Sequence, residues 1–223
     1  MFIEEIKPDN RPFLAVYAPG REFLYKYFDR DFDCRITSDP FEVSSPFPAI
    51  LISGIDDEQS SEKQDEFVKN CREKELVLIH LRVPDVIGTG MGGLMLRMAR
   101  GVARGTLMLI KGNEAKRSVI HATDITKAAK KISLERKEAE FVISAPSIPV
   151  NDLIDALSYR IKNKRIGTVS SKWAKFLYGK TMFDQLTVDK VVNTKEFEQA
   201  FQDFVFVNPA EYLKTHIYDN ESL

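Results

Sequence analysis

The sequence predicts an α/β fold in which helices cover both faces of a mostly parallel β-sheet. Short apolar segments of strand length, clearest at residues 13–17, 49–53 and 76–81, alternate with segments whose apolar residues recur at helical spacing. Parallel strands need crossover connections, and the helices in those connections bury the sheet. At 223 residues, the chain is long enough for one large domain or for one domain with a small annex.

Composition places the chain among ordinary globular proteins. Its 32 basic and 33 acidic residues leave a formal charge of −1, so no overall field attracts nucleic acid or a membrane. Cys34 and Cys71 are too few for a disulfide framework and lack metal-type spacing. The first residues do not resemble a signal peptide, and no apolar stretch of about 18 residues occurs. We therefore expect a cytoplasmic protein with no metal, nucleic-acid partner or membrane partner.

The elements follow one another in regular order. Pro19 and Gly20 end the first strand, Ser61 with Gln64 is a capping-box pattern that starts a helix, and Asn151 is placed to cap a later one. Strands are predicted at residues 13–17, 34–37, 49–53, 76–81, 106–110, 140–143 and 165–169. Helices are predicted at residues 21–28, 61–73, 92–104, 124–132, 151–161, 172–177 and 195–204.

The turn after the first strand has the position of a phosphate-binding loop. Such a loop brings backbone N–H groups close to a pyrophosphate at the start of a helix, and glycine permits that approach. The sequence YAPGREF resembles the GxxGxxG loop of short-chain dehydrogenases, with Gly20 at the middle glycine and Arg21 next to it. Tyr17 and Phe23 replace the outer glycines. The turn therefore indicates either a weakened nucleotide site or a purely structural turn.

Two motifs in the middle of the chain carry a more specific resemblance. Residues 81–90 (LRVPDVIGTG) resemble the L-R-x-x-x-V-Y-G-x-G segment of nucleotide-sugar epimerases and dehydratases, with Ile87 where tyrosine is usual. Residues 117–125 (RSVIHATDI) resemble the R-x-x-x-H-x-x-D element of the same family. Together with the intervening helix and strand, the resemblance covers roughly residues 49–132. It implies an NAD(P)-dependent, extended short-chain dehydrogenase/reductase and a Rossmann-like sheet.

The resemblance also assigns candidate binding residues. Arg117 is the candidate for a contact with the nucleotide diphosphate, since a guanidinium suits phosphate oxygens. Its alternative is a surface arginine. Asp39 is placed to bind the adenosine ribose, although Ser-Asp-Pro is also good turn chemistry without a ligand. The remaining candidates follow predicted strands or lie on the substrate side: Ser53 and Pro84 for the cofactor, and Gly88 and Tyr178 for the substrate.

The catalytic Y-x-x-x-K pair of the family is incomplete. Its tyrosine exchanges a proton with the substrate, while its lysine holds the cofactor ribose. Lys63 stands at the lysine position, or is a solvated residue in the first turn of its helix, and Gln59 stands where tyrosine belongs. An amide cannot act as an acid or base. The stretch from Gly20 to Gln59 is also too short for the family's full set of elements, so at least one βα unit is missing.

These observations predict a shortened, degenerate relative in carbohydrate metabolism. Residues 1–135 would form the Rossmann-like region, and residues 136–223 a small substrate-side annex. NAD or NADP is a possible cofactor, weakly bound or lost, and a nucleotide sugar or dinucleotide is a possible ligand. The alternatives are an active NAD(P)-dependent epimerase or reductase that uses Tyr25, Tyr178 or His121, and a scaffold that forms a homodimer or pairs with a partner enzyme. The family's dimers suggest the helix that contains Lys63 as the pairing surface.

Overall fold

The computed structural model describes residues 11–43, 47–55, 61–162 and 166–215. The strands are β1 (Phe13–Tyr17), β2 (Arg35–Thr37), β3 (Ala49–Gly54), β4 (Leu78–Val83), β5 (Asp85–Ile87), β6 (Leu109–Ile110), β7 (Lys116–Arg117), β8 (Val119–His121), β9 (Ala139–Val142), β10 (Ile148–Pro149) and β11 (Thr168–Val169). The helices are α1 (Tyr25–Phe32), α2 (Glu62–Glu73), α3 (Gly93–Arg104), α4 (Ala122–Ser133), α5 (Val150–Lys162), α6 (Ser171–Thr187), α7 (Lys195–Ala200) and α8 (Pro209–Thr215).

A five-stranded parallel sheet forms the centre of the fold, in the order β2-β1-β3-β4-β9. All six residues of β3 are buried, because this strand is paired on both sides and covered on both faces. The prediction that the strands near residues 13, 49 and 76 are central is confirmed. The α/β class with a shortened Rossmann-like sheet is confirmed as well.

Helices cover the two faces of this sheet unequally. On one face, α1 and α4 pack with Phe197 of α7 over the buried side chains of β1, β3 and β4. On the other face, Phe67 and Cys71 of α2 cover Ala15 and Leu51. Side chains of β4 consequently alternate between buried and partly exposed positions. Burial raises the pKa of the Cys71 thiol to about 12, so this cysteine stays protonated.

A second hydrophobic core lies beside the sheet. It is built from the apolar faces of α3 and α5, with Ala174 and Leu186 of α6 and Leu213 of α8. Three two-stranded pairs surround it: β5 with β8, β6 with β11, and β7 with β10. Elements from both sides of residue 135 contribute to each core. The division into regions at that residue stays a prediction.

Several predicted elements differ from the structure, and the helix expected at residues 195–204, for example, ends at Ala200. The strand expected at residues 106–110 is reduced to β6, because the N–H groups of Thr106 and Leu107 bond to the carbonyl of Gly101 and close the end of α3. The helix expected at residues 172–177 continues to Thr187, past a break at Gly179. The family resemblance implied a substrate-side loop at residues 178–192, and two thirds of that segment is therefore helical. None of the described helices is both apolar and long enough to cross a bilayer.

Gly88 lies where the chain packs closely against α1 and α4. Its φ is +147°, and a Cβ there would lie 2.7 Å from the Tyr27 hydroxyl oxygen and 3.2 Å from the Ala122 Cβ. We expect Gly88→Ala to lower the free energy of unfolding by about 2 to 4 kcal/mol, from strain and overpacking together. Denaturant unfolding measures the change. In the control, Gly112→Ala, only φ is unfavourable because nothing lies within 4 Å of the added Cβ. Equal losses in both variants would contradict this packing.

Candidate functional site

A cavity of about 630 Å³ opens at the carboxyl ends of β1, β3 and β4. Parallel α/β sheets bind ligands at this edge, and the volume is within the usual range for small-molecule sites. Four residues predicted from the sequence line it: Gly20, Arg21, Pro84 and Arg117. Gly20, Arg21 and Pro84 meet because the parallel register brings the ends of β1, β3 and β4 together. Arg117 belongs to β7 and joins them through its contact with Asp85.

The turn after β1 forms one wall of the cavity. Gly20 has φ +69°, and its N–H donates to the Glu22 carboxylate at 2.9 Å. A carboxylate thus occupies a backbone donor that a phosphate loop would direct at its ligand. Phe23 also lines the cavity, and the chain makes a 3-10 turn at Glu22–Leu24 before α1 begins. This wall is poorly suited to a pyrophosphate.

Arg117 also lines the cavity and is buried, with 5% of its surface exposed. Its Nη1 donates to Asp85 Oδ2 at 2.7 Å, and its Nη2 donates to the Gln185 carbonyl at 2.5 Å. Its Nε has no hydrogen-bond partner among the described residues. Burying a charged donor without a partner is costly, so this N–H is a candidate to receive a ligand oxygen.

The N-terminus of α3 borders the same cavity. Gly92 and Gly93 line it, no side chain caps the helix, and its first turn contains no acidic residue. A Cβ on either glycine would meet nothing within 4 Å, so the backbone is open to a ligand. Helix N-termini present N–H groups and a partial positive charge to anions. This wall is therefore better suited to an anion than the turn at Gly20.

A strand-like segment near residue 190 closes the cavity beside Arg117. The N–H of Ser118 donates to the Lys190 carbonyl at 2.8 Å, and the N–H of Lys190 donates to the Lys116 carbonyl at 2.9 Å. Lys190, Val191 and Val192 all line the cavity. The family resemblance assigned residues 178–192 to a substrate-side loop, but its pairing with residues more than 70 positions earlier could not be read from the sequence. The open α3 terminus did have a signal, the consecutive Gly92-Gly93 before an apolar helix.

Three of the predicted cofactor residues take part in local structure outside the cavity lining. Tyr17 stacks on Phe67 of α2 with ring centroids 5.3 Å apart. The Asp39 carboxylate accepts the N–H of Phe41 and caps a 3-10 turn, as the alternative turn chemistry predicts. Ser53 lies 2.8 Å from His80 Nε2, and burial lowers the pKa of that histidine. These contacts account for the three side chains without a ligand.

The remaining predicted residues are also outside the lining. Lys63 is exposed in the first turn of α2, and Gly88 is buried against Tyr27. The Tyr178 hydroxyl bonds to both the N–H and the carbonyl of Met108, and burial raises its pKa. Gln59 lies outside the described residues. Within the described ranges, no group of three or more His, Cys, Asp or Glu side chains could hold a metal ion.

Several solved structures share the fold of this chain. A UDP-N-acetylglucosamine 4-epimerase from Bacillus cereus matches over 91% of this chain and 94% of its own, at 12% identity and a TM-score of 0.58. The chain has an epimerase-type Rossmann fold. RMD from Pseudomonas aeruginosa, solved with NADPH, matches over 95% of this chain and 79% of its own, at 12% identity and a TM-score of 0.55.

The Bordetella bronchiseptica enzyme WbmH, solved with NAD+, is a third structure that matches this fold. It matches over 93% of this chain and 73% of its own, at 10% identity and a TM-score of 0.51. At such identities the likeness concerns the fold. Comparison with family models gave no match, and comparison with curated proteins gave none.

The Asp85–Arg117 pair should be a strong determinant of stability. Asp85→Ala leaves a buried guanidinium with only the Gln185 carbonyl as partner. We expect a loss of about 3 kcal/mol in the free energy of unfolding, at the low end for buried pairs because a quarter of the Asp85 side chain is exposed. Urea unfolding measures it. As the matched control, Glu73→Ala breaks the exposed Lys69–Glu73 pair and should cost under about 0.5 kcal/mol. A similar, small loss in both would refute the role given to the buried pair.

Proposed function

We propose that the chain binds the diphosphate of a nucleotide sugar in this cavity, weakly and without the turnover of an ordinary epimerase. The observation that carries the proposal is the buried Arg117, whose Nε–H has no partner among the described residues and which lines the same cavity as the uncapped end of α3. A phosphate oxygen accepts hydrogen bonds from both kinds of donor.

The electrostatics of the site favour modest affinity. Asp85 neutralises the charge of Arg117 at 2.7 Å, so the pair as a whole attracts an anion weakly. A ligand would be held mainly by hydrogen bonds, from the Arg117 Nε–H and from the N–H groups at the start of α3. Hydrogen bonds to charged groups contribute about 1.5 to 3 kcal/mol each. The few donors available here are consistent with binding weaker than that of a dedicated enzyme.

The two ends of the cavity differ in how well they would hold a dinucleotide. At the Gly20 turn, Glu22 already accepts the N–H that a pyrophosphate would need, and Phe23 lines the wall. NAD or NADP would have to displace that carboxylate. At the Arg117 end, no described carboxylate is bonded to the α3 terminus. We therefore propose a nucleotide sugar as the preferred ligand and a nicotinamide cofactor as a weak or lost one.

The chemistry of the available side chains supports a binding protein over an active epimerase or reductase. Tyr25 and Tyr178 do not line the cavity, and burial raises the pKa of both, which is the wrong direction for a tyrosine base. His121 accepts the Thr123 N–H through Nδ1 and caps α4. With Gln59 at the family tyrosine position, we propose that ordinary catalysis is lost.

We propose the class of sugar nucleotide from the names of the structural neighbours. The Bacillus cereus protein is a UDP-N-acetylglucosamine 4-epimerase, and this chain covers nearly its whole length. UDP-N-acetylglucosamine is therefore the first ligand to test. We propose that the chain acts in carbohydrate metabolism inside the cell.

Calorimetric titration with UDP-N-acetylglucosamine tests the proposal. Arg117→Ala should weaken binding about ten- to a hundredfold, because it removes a charge-assisted bond and about 1.4 kcal/mol corresponds to a factor of ten. Circular dichroism must show that the variant is folded. Lys74→Ala, an exposed change outside the cavity lining, should leave the affinity unchanged.

Two outcomes would overturn the proposal. Equal affinities of wild type and folded Arg117→Ala would place the ligand elsewhere. Epimerised product after incubation of the wild type with UDP-N-acetylglucosamine and NAD+ would show an active enzyme.

A further inference from the structure

The first half of α6 presents apolar side chains to solvent. Trp173, Phe176 and Leu177 are 62%, 78% and 51% exposed. Their spacing of three and four residues places them on one side of the helix, and the rings of Trp173 and Phe176 meet edge to face at 6.0 Å. We call these three residues the α6 patch. Clusters of exposed apolar side chains mark contact surfaces more often than single exposed apolar residues do.

The orientation of this half-helix is fixed by its other side. Ala174 is buried in the second core, and the Tyr178 hydroxyl is held by the Met108 backbone. Gly179, with φ +71° and ψ 165°, then breaks the helix, so the half up to Tyr178 and the half that buries Leu186 are oriented independently. The α6 patch therefore cannot turn inward without breaking these contacts.

Basic residues accompany the patch. Lys172 and Lys175 are exposed on the same helix, while the exposed Lys180 is paired with Asp184 at 2.8 Å. The sequence from residue 156 to residue 183 contains seven basic residues and no acidic one, in a chain whose formal charge is −1. The near-zero net charge of the whole chain therefore does not reveal that this segment is strongly positive. An apolar, aromatic surface bordered by lysines is complementary to an anionic surface that has an apolar interior.

We propose that the α6 patch docks on the surface of an anionic phospholipid membrane. Trp173, Phe176 and Leu177 would enter the headgroup region, where aromatic rings are favoured, while Lys172 and Lys175 would lie near the lipid phosphates. This is surface attachment, which needs no membrane-spanning helix. It is independent of the proposed diphosphate site.

Charge argues against the other obvious occupant, a second copy of this chain. In a two-fold dimer the same patch meets itself, so the lysines around one patch would approach those around the other. Like charges in an interface are costly. An anionic bilayer meets no such repulsion, and its affinity rises with each added lysine by about fivefold, from about 1 kcal/mol per basic residue.

Trp173 is the only tryptophan in the chain, so its fluorescence reports on this surface alone. The full-length protein is mixed with vesicles of phosphatidylcholine, with or without phosphatidylserine. We expect a shift of the emission to shorter wavelength and co-sedimentation only with phosphatidylserine present, both weakened by salt. Both effects should be absent with phosphatidylcholine alone.

Two double variants test the apolar and the basic residues of the surface separately. Phe176→Ser with Leu177→Ser keeps the reporter and should abolish the wavelength shift, whereas Leu134→Ser, at an exposed leucine elsewhere, should not. Lys172→Glu with Lys175→Glu should weaken vesicle binding about twentyfold or more. The matched charge control, Lys74→Glu with Lys195→Glu, changes the net charge equally at other exposed sites and should bind nearly as well as wild type.

Several results would overturn the proposal. One is the absence of both the shift and co-sedimentation with phosphatidylserine vesicles. Another is equal loss of binding in the two lysine double variants, which would mean that only net charge matters. A wavelength shift that grows with protein concentration without vesicles, together with a dimer in sedimentation, would identify a second copy as the occupant. Equal binding by wild type and Phe176→Ser with Leu177→Ser would exclude the patch.

Discussion

The parallel pairing of β1, β3 and β4 is the constraint on which the candidate site depends. Because the three strands run in one direction, their carboxyl ends lie at one edge, and the chain must leave the sheet there three times. The residues at these three exits, Gly20, Gly54 and Pro84, line the cavity. The predicted loss of a βα unit would not remove this edge, since β3 pairs directly with β1.

The Asp85–Arg117 pair links that edge to the second core. Asp85 follows β4 and Arg117 ends β7, while Gln185 belongs to α6, so one guanidinium ties three parts of the chain together. The same pairing that holds Arg117 in position also neutralises it. Two of the guanidinium nitrogens are bonded within the fold, so only the Nε–H remains for a ligand. The pair therefore stabilises the structure and limits the affinity of the site.

Much of the architecture could be predicted from local patterns. The buried strands and the inward face of α3 follow from apolar periodicity, and the cavity lining at Gly20, Arg21, Pro84 and Arg117 follows from motifs at strand ends. Contacts between distant segments could not be predicted, among them Asp85 with Arg117 and Lys190 with Ser118. The continuation of α6 past Gly179 was missed because glycine usually ends a helix. Net charge likewise says nothing about the basic surface of α6, since charges elsewhere in the chain cancel it.

A crystal structure of the protein with UDP would show whether Arg117 and the start of α3 form the diphosphate site. We expect the diphosphate between the Arg117 Nε and the backbone N–H groups that follow Gly92, with the Asp85–Arg117 and Gly20–Glu22 hydrogen bonds intact. A diphosphate bound at the Gly20 turn, with Glu22 displaced and the Arg117 Nε still without a ligand oxygen, would contradict this expectation.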